Sequence, residues 1–190
     1  MEEFFDVCTP EGTPTGQSVP RSQAHRLGLW HRSSHLWVIN SNSQLLLQKR
    51  HPLKETDPGR WDIAVAGHLS AGQTPLEALV REAREELGLV LDPQTLQFLE
   101  ARPKQYVESG FIDREWQHLF VVQWDGDLES LALQADEVTE VRWMPLAEYR
   151  IVVEADDERY VDRKDDWGSF ARWLASVYGD LFVPWKPSEA

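Results

Sequence analysis

The chain predicts an α/β fold, a mixed β-sheet with helices on both faces. Three observations carry this reading. A firmly capped amphipathic helix spans residues 74–88, short β-rich runs stand on both sides of it, and a second amphipathic helix covers 167–178. With 190 residues, 42% of them hydrophobic, one domain (1–190) with a proper core is expected.

The elements follow in order. Phe4 to Gly16 holds Pro10, Gly12, Pro14 and Gly16, which predicts a short strand and a tight turn within an N-terminal extension covering 1–30. Pro20 opens and Gly28 closes a brief helix. His35–Asn40 and Leu45–Gln48 are β-rich, with Ser41-Asn42-Ser43 as the hairpin turn. Residues 50–59 are polar and turn-rich, and Ile63–Ala66 reads as a short buried strand leading to Gly67. Beyond Asp92-Pro93, the runs 96–107 and 115–124 predict long paired strands turning near Ser109-Gly110. A strand at 138–144 and a short helix at 145–150 precede the C-terminal loop and helix within 151–190. The charge run 154–166 reads as a solvated loop.

The segment 67–89, GHLSAGQTPLEALVREAREELGL, is the most specific in the chain. Thr74-Pro75-Leu76-Glu77 is a capping box with proline at the first helical position, and Gly88 suits a left-handed C-terminal cap. Leu76, Leu79, Val80, Ala83 and Leu87 form an apolar stripe for docking on the sheet. Arg81, Arg84 and Glu77 are expected beside that stripe, away from the acids. Successive helical residues advance by about 100°, so Glu82, Glu85 and Glu86 share one third of the circumference. Without a cation their repulsion costs about 0.2–0.5 kcal/mol per i,i+4 pair. A hard divalent ion bound through oxygen turns that repulsion into affinity.

This spacing resembles the Nudix box, Gly-x5-Glu-x7-Arg-Glu-U-x-Glu-Glu-x-Gly-U with U aliphatic. Gly67, Arg81, Glu82, Ala83, Glu85, Glu86, Gly88 and Leu89 occupy their slots, and Gln73 stands where the family has Glu. The resemblance implies the Nudix α/β/α sandwich and a metal-dependent hydrolase acting on a small organic diphosphate. It implies Mg²⁺, with Mn²⁺ as an alternative, held by Glu82, Glu85, Glu86 and the carbonyl of Gly67. Arg81 would orient these carboxylates, and Gln73 would support the loop and helix without its charge.

HRLGLWHRSSHLWVIN, PGRWDIAVAGHLSAG and DREWQHLFVV further resemble Nudix proteins related to type I isopentenyl-diphosphate isomerase. In that isomerase the positions matched by His25, His31, His68 and Glu115, with Asp113 as a partner, bind a divalent metal. His31 and His68 are thereby candidates for metal or phosphate contact, and Glu115 for metal contact or general base. The isomerase also needs a Cys where this chain has Ala66, and the distant Cys8 is no assumed substitute, so hydrolysis is expected rather than isomerisation. Non-catalytic diphosphate binding is the other alternative, resting on Gln73.

Lys49, Arg50, Lys54 and Arg60 cluster before the box and are candidate phosphate clamps. His35, His51 and His118 are assigned structural roles. Trp37, Trp143 and Trp173 are assigned to the core, and Trp30 and Trp116 are the candidates for a ligand wall. A net charge of −13 disfavours a nucleic-acid polymer as partner but not a small phosphorylated ligand. No run of about 18 apolar residues is present, so no membrane span is expected. The acidic N-terminus lacks signal-peptide order. With Cys8 as the single cysteine, these features point to the cytoplasm. By family analogy a homodimer is compatible with the sequence.

Overall fold

The computed structural model describes residues 2–108 and 111–179. The expected turn at Ser109-Gly110 and the end of the C-terminal segment lie outside the described residues. The N-terminal extension is a two-stranded antiparallel hairpin, β1 (Phe4–Cys8) and β2 (Pro14–Pro20), followed by α1 (Arg21–Leu27). The sequence foretold one strand there; the turn at Gly12 returns the chain as a second.

The main sheet has seven strands: β3 (Trp30–Ile39), β4 (Gln44–Arg50), β5 (Trp61–Ile63), β6 (Val65–His68), β7 (Gln97–Glu108), β8 (Phe111–Gln123) and β9 (Val138–Pro145). Its centre is β3, which runs parallel to β8 over ten residues from Trp30–Arg114 to Ile39–Gln123. The other strand pairings among the described residues are antiparallel: β3 with β4 and β6, β4 with β5 and β9, β7 with β8; Trp61 of β5 also makes an isolated parallel bridge to Tyr160. The sheet is therefore mixed, as expected. The predicted strand 63–66 divides at Ala64 into β5, which pairs with β4, and β6, which pairs with β3. The strand predicted from His35 starts five residues earlier, because parallel pairing with β8 supplies hydrogen bonds to the polar stretch HRSS.

Each face carries its own core. On one face α2 (Pro75–Leu87) lays Leu79, Ala83 and Leu87 on Leu36, Val38, Leu46, Val65 and Phe120. Val80 lies outside that contact and instead borders an outer groove with Leu76 and Pro93. On the other face α3 (Leu146–Ala155) and α4 (Lys164–Tyr178) cover Trp37, Ile39, Leu45 and Val121. Trp37 stacks on Phe170 with ring centroids 4.7 Å apart. Trp143 and Trp173 are partly buried against the two cores, in keeping with their assignment. Gly88 is needed twice over. It takes φ 66° to end α2, and a Cβ there would lie 2.8 Å from Ala132.

The charge run 154–166 is largely the exposed loop expected, with its ends in α3 and α4. Two of its charges depart from that reading: Asp166 is buried and Arg163 is mostly so. Arg163 grips Asp62 through Nε and Nη2, both at 2.8 Å, and Asp62 is also 3.5 Å from Arg50. Asp166 is buried against His35 at 3.0 Å and ion-paired with Arg102. Burial raises a carboxylate's pKa, but Arg163 and Arg50 overcome this at Asp62 and hold it below the usual range. A charge pattern in sequence looks solvated because its partners lie about 100 residues away.

Asp62→Asn leaves the buried Arg163 guanidinium without its counter-ion. We expect a loss of about 3–5 kcal/mol in urea unfolding, with much of it recovered in a double variant carrying Asp62→Leu and Arg163→Met. An Asp62→Asn protein as stable as wild type would contradict the pairing.

Candidate active site

The capping box of α2 forms as its sequence specifies. The Glu77 amide donates to Thr74 Oγ1 at 3.3 Å, and the Thr74 amide donates to Glu77 Oε2 at 2.8 Å. The preceding loop is held by Gln73, whose Oε1 accepts from the Ser70 amide at 3.0 Å and from Arg81 at 3.3 Å. Gln73 thus joins loop to helix with its amide. Gly67, on β6, faces α2 so closely that a Cβ would sit 2.9 Å from Glu82 Cδ. Any side chain there would displace this carboxylate.

Arg81 does not lie on the far side of the helix from the acids. It ion-pairs with Glu82 at 2.7 Å and with Glu85 at 2.8 Å, because its long side chain reaches across the turn to i+4. The three acids differ in setting. Glu86 is buried, Glu82 is mostly buried, and Glu85 is half-exposed. Burial and then the neighbouring Glu82 push the Glu86 carboxyl up to about 8, against the opposing pull of Lys54. Burial likewise raises Glu82, against the pull of Arg81. The three carboxylates share one directly paired cation, Arg81, while Lys54 and Arg50 are ion-paired to Glu137 and Asp62, so the group is short of positive charge. The donors are all oxygen, which fits Mg²⁺ or Mn²⁺.

A second constellation is assembled from four elements. His25 comes from α1, His31 from β3, His68 from the end of β6, and Asp113 and Glu115 from β8, with His31 in register opposite Glu115. One ligand atom each of His25, His31, His68 and Asp113 lie within 4.8 Å of one another. Asp113 Oδ1 is 3.1 Å from His31 Nε2 and 3.8 Å from His25 Nε2, and His68 Nε2 is 2.9 Å from Glu115 Oε1. Phe5 walls the group, stacking on His31 and His68 at 4.8 Å each.

The tautomer of His31 is decisive. Its Nδ1 lies 2.9 Å from the Leu29 carbonyl oxygen, which can only accept, so Nδ1 carries the proton. In the neutral ring Nε2 is then a lone pair facing a carboxylate oxygen. Among the described residues, His25 Nε2, His31 Nε2 and Asp113 Oδ1 are buried without a hydrogen-bond partner. A cation at their meeting point satisfies all three, so the residues present fit a divalent ion. Burial would lower His68, but Asp113 and Glu115 outweigh it and raise it to about 9. Burial drives His25 down to about 4.

The three box acids line one cavity of about 810 Å³ together with His68, Asp113 and Glu115 of the second constellation, whereas His25 and His31 are not among its lining residues. Of the proposed clamps, Arg50, Lys54 and Arg60 line it, while Lys49 lies outside it over the Trp61 ring. Arg50 is committed to Thr56 and Asp62, Lys54 to Glu137, and Arg60 to Asp57 at 2.9 Å. The sequence reading missed Arg21, which lies 3.4 Å from both Glu3 and His68 and 3.7 Å from Glu55. Its signal was available: Arg21 precedes His25 by one helical turn and shares its face. It also missed Glu137, Gln117 and Arg163, for which no local pattern existed. Trp116 forms no ligand wall, since its indole donates to Pro10 and covers Gly12, and Trp30 does not line the cavity. His51 and His118 are held by turn and backbone groups, as assigned, whereas His35 also faces the cavity. Ala66 lines the cavity with no thiol beside it, and Cys8 is buried in β1 with its pKa pushed up to about 11 by burial.

This architecture and these residues have known counterparts. The NUDIX domain profile matches residues 29–164. The chain is 39% identical over 165 residues to Nudix hydrolase 3 of Arabidopsis thaliana, covering 84% of this chain but only 21% of that one. It is 30% identical over 147 residues to an isopentenyl-diphosphate Δ-isomerase of Escherichia coli, covering 77% and 79%. The crystal structure of DR0079 from Deinococcus radiodurans shares the fold with a TM-score of 0.62 at 23% identity, covering 83% of this chain and 92% of that one. With the box in place on its helix and the profile spanning most of the chain, the protein belongs to the Nudix hydrolase family.

Proposed function

We propose that the protein is a Mg²⁺-dependent hydrolase that cleaves a pyrophosphate bond in a small organic diphosphate, with Mn²⁺ able to replace Mg²⁺. The observation that carries this is the placement of Glu82, Glu85 and Glu86, short of positive charge, in the same cavity as Arg21, Arg50, Lys54 and Arg60. A divalent ion on these carboxylates and the Gly67 carbonyl would neutralise phosphate charge and lower the pKa of an attacking water. The chain's own residues do the rest. Arg81 fixes Glu82 and Glu85, and Gln73 fixes Arg81. Arg21, Lys54 and Arg60 exchange carboxylate partners for phosphate oxygens and orient the diphosphate. Water oxygen attacks phosphorus, its proton passes to a box carboxylate, and the bridging P–O bond breaks toward the leaving phosphate.

Glu115 fits a positioning role better than that of general base. Burial and Asp113 would raise its pKa, yet His68 holds it well below the usual range, which makes it a weak proton acceptor. His25, His31, His68 and Asp113 would hold a second ion beside the box. Isomerisation is disfavoured because Ala66 offers no acid or base. The single buried cysteine goes with a cytoplasmic setting, and no described helix is long and apolar enough to cross a membrane.

Glu86→Gln should lower Mg²⁺-dependent turnover by about 100-fold or more while leaving the unfolding midpoint within a few degrees. Equal turnover in the variant, or turnover unaffected by EDTA, would count against the reading. Arg21→Met should raise KM and weaken inhibition by inorganic pyrophosphate about tenfold, with little change in kcat.

The pH dependence has a definite sign. With Glu86 raised to about 8, the metal-free site is protonated at neutral pH and must lose that proton to take an ion. Apparent Mg²⁺ affinity should rise with pH and level off above about 8. Calorimetry in buffers of different ionisation enthalpy should show close to one proton released per ion at pH 7 and none at pH 9.5. A flat profile would contradict the burial of Glu86.

A further inference from the structure

Beyond the box acids, His68 and Asp113, the cavity extends to His35 of β3 and to Glu115 and Gln117 of β8. On the shared face of these strands Asp113 precedes the paired rows, in which His31 stands beside Glu115, Ser33 beside Gln117, His35 beside the buried Leu119, and Trp37 beside Val121 in the core. Gln117 is 4% exposed and lines the cavity. Its amide nitrogen donates to Glu115 Oε2 at 2.7 Å, while Glu115 Oε1 lies 2.9 Å from His68. An ionised carboxylate can only accept, so this contact dictates which end of the amide faces it. The carbonyl oxygen, Gln117 Oε1, is therefore the other end, and it is buried with no hydrogen-bond partner among the described residues.

The surroundings share this character. His35 is held by Asp166 and lies 3.3 Å from the Arg163 guanidinium, and both line the cavity beside Ala66, which pairs with His35 across β3 and β6. Among the described lining residues only Leu53, Ala66 and Val161 have aliphatic side chains. An alkyl or alkenyl chain lying here would leave Gln117 Oε1 dry and unpaired; a hydroxyl or N–H would satisfy it.

We propose that Gln117 is a specificity-determining residue that accepts a hydrogen bond from the group attached to the diphosphate, so that the substrate is a hydroxyl-bearing diphosphate rather than an isoprenoid one. This rests on reading the cavity as a diphosphate site. Gln117 lies one step along the strand from Glu115, away from His31 and Asp113. That is where the attached group would lie, with the phosphates at the box end.

The test is calorimetric binding in Ca²⁺ of ADP-ribose, UDP-glucose and isopentenyl diphosphate, with Mg²⁺ turnover of each measured in parallel. Wild type should bind at least one of the hydroxylated ligands about tenfold or more tighter than isopentenyl diphosphate. Gln117→Met, close in shape but without the acceptor, should weaken that ligand about tenfold and leave isopentenyl diphosphate unchanged or tighter. Isopentenyl diphosphate binding tightest to wild type would overturn the proposal, as would a Met variant that weakens all three equally. The wild-type order decides the matter even if the variant does not fold. Turnover with the order reversed would remove this subsite and keep the hydrolase. The expected order without turnover would do the opposite, and no binding of any of the three would remove both.

Discussion

The parallel pairing of β3 with β8 is the constraint on which the rest depends. Ten residues in unbroken register place the odd-numbered side chains of both strands in two adjacent rows on one face. Those rows change chemistry along their length, from His31 and Asp113 through His35 and Gln117 to Trp37, Leu119 and Val121. One end of a single sheet face is thus site and the other end is core. The opposite face of β3 carries Leu36 and Val38 beneath α2, which brings the acids of the box to the same end of the sheet. A slip of one residue would exchange the two faces and destroy site and core together.

Charge is managed in two contrasting ways around this frame. Asp62, Arg163, Asp166, His35 and Arg102 form a buried network in which each ionised group has an opposite partner. Such groups hold structure: they tie the C-terminal segment, far away in sequence, to the floor of the cavity. Glu86, without an ion pair among the described residues, and His25 Nε2, His31 Nε2 and Asp113 Oδ1, buried without a hydrogen-bond partner among them, are instead left short of partners. Leaving buried polar groups unmatched is costly in folding and useful only where something else binds. The contrast separates structural from functional charge within one cavity.

Much of the site was legible because its signals are local. The capping box, Gly88 and the i, i+3, i+4 spacing of the acids lie within about two dozen residues and obey helix geometry whatever the tertiary context. Gly67 was legible from spacing, and its reason, the close approach of Glu82, emerges only from packing. The ion pairs of Arg81 agree with the role implied by the box, but not with its placement away from the acids, because a helical wheel locates Cβ atoms whereas a guanidinium reaches two carboxylates from an adjacent sector. Within the charge run 154–166, the ties of Arg163 and Asp166 were hidden for the same kind of reason. Hydrophilicity is local, but burial with Asp62 is not.

From the linear chain alone came the helix with its ends, the alternation of strands and helices, and the chemical inventory of the box. These follow from backbone and side-chain rules acting over a few residues. Folding in three dimensions was needed to bring His25, His31, His68 and Asp113 together from four elements, to leave Gln117 with an unpaired oxygen, and to commit Arg50 and Lys54 to carboxylates. The reason is physical. Long-range pairing sets which polar groups lose water together, and desolvation, not residue identity, decides whether such a group stays paired, changes its proton affinity or waits for a ligand.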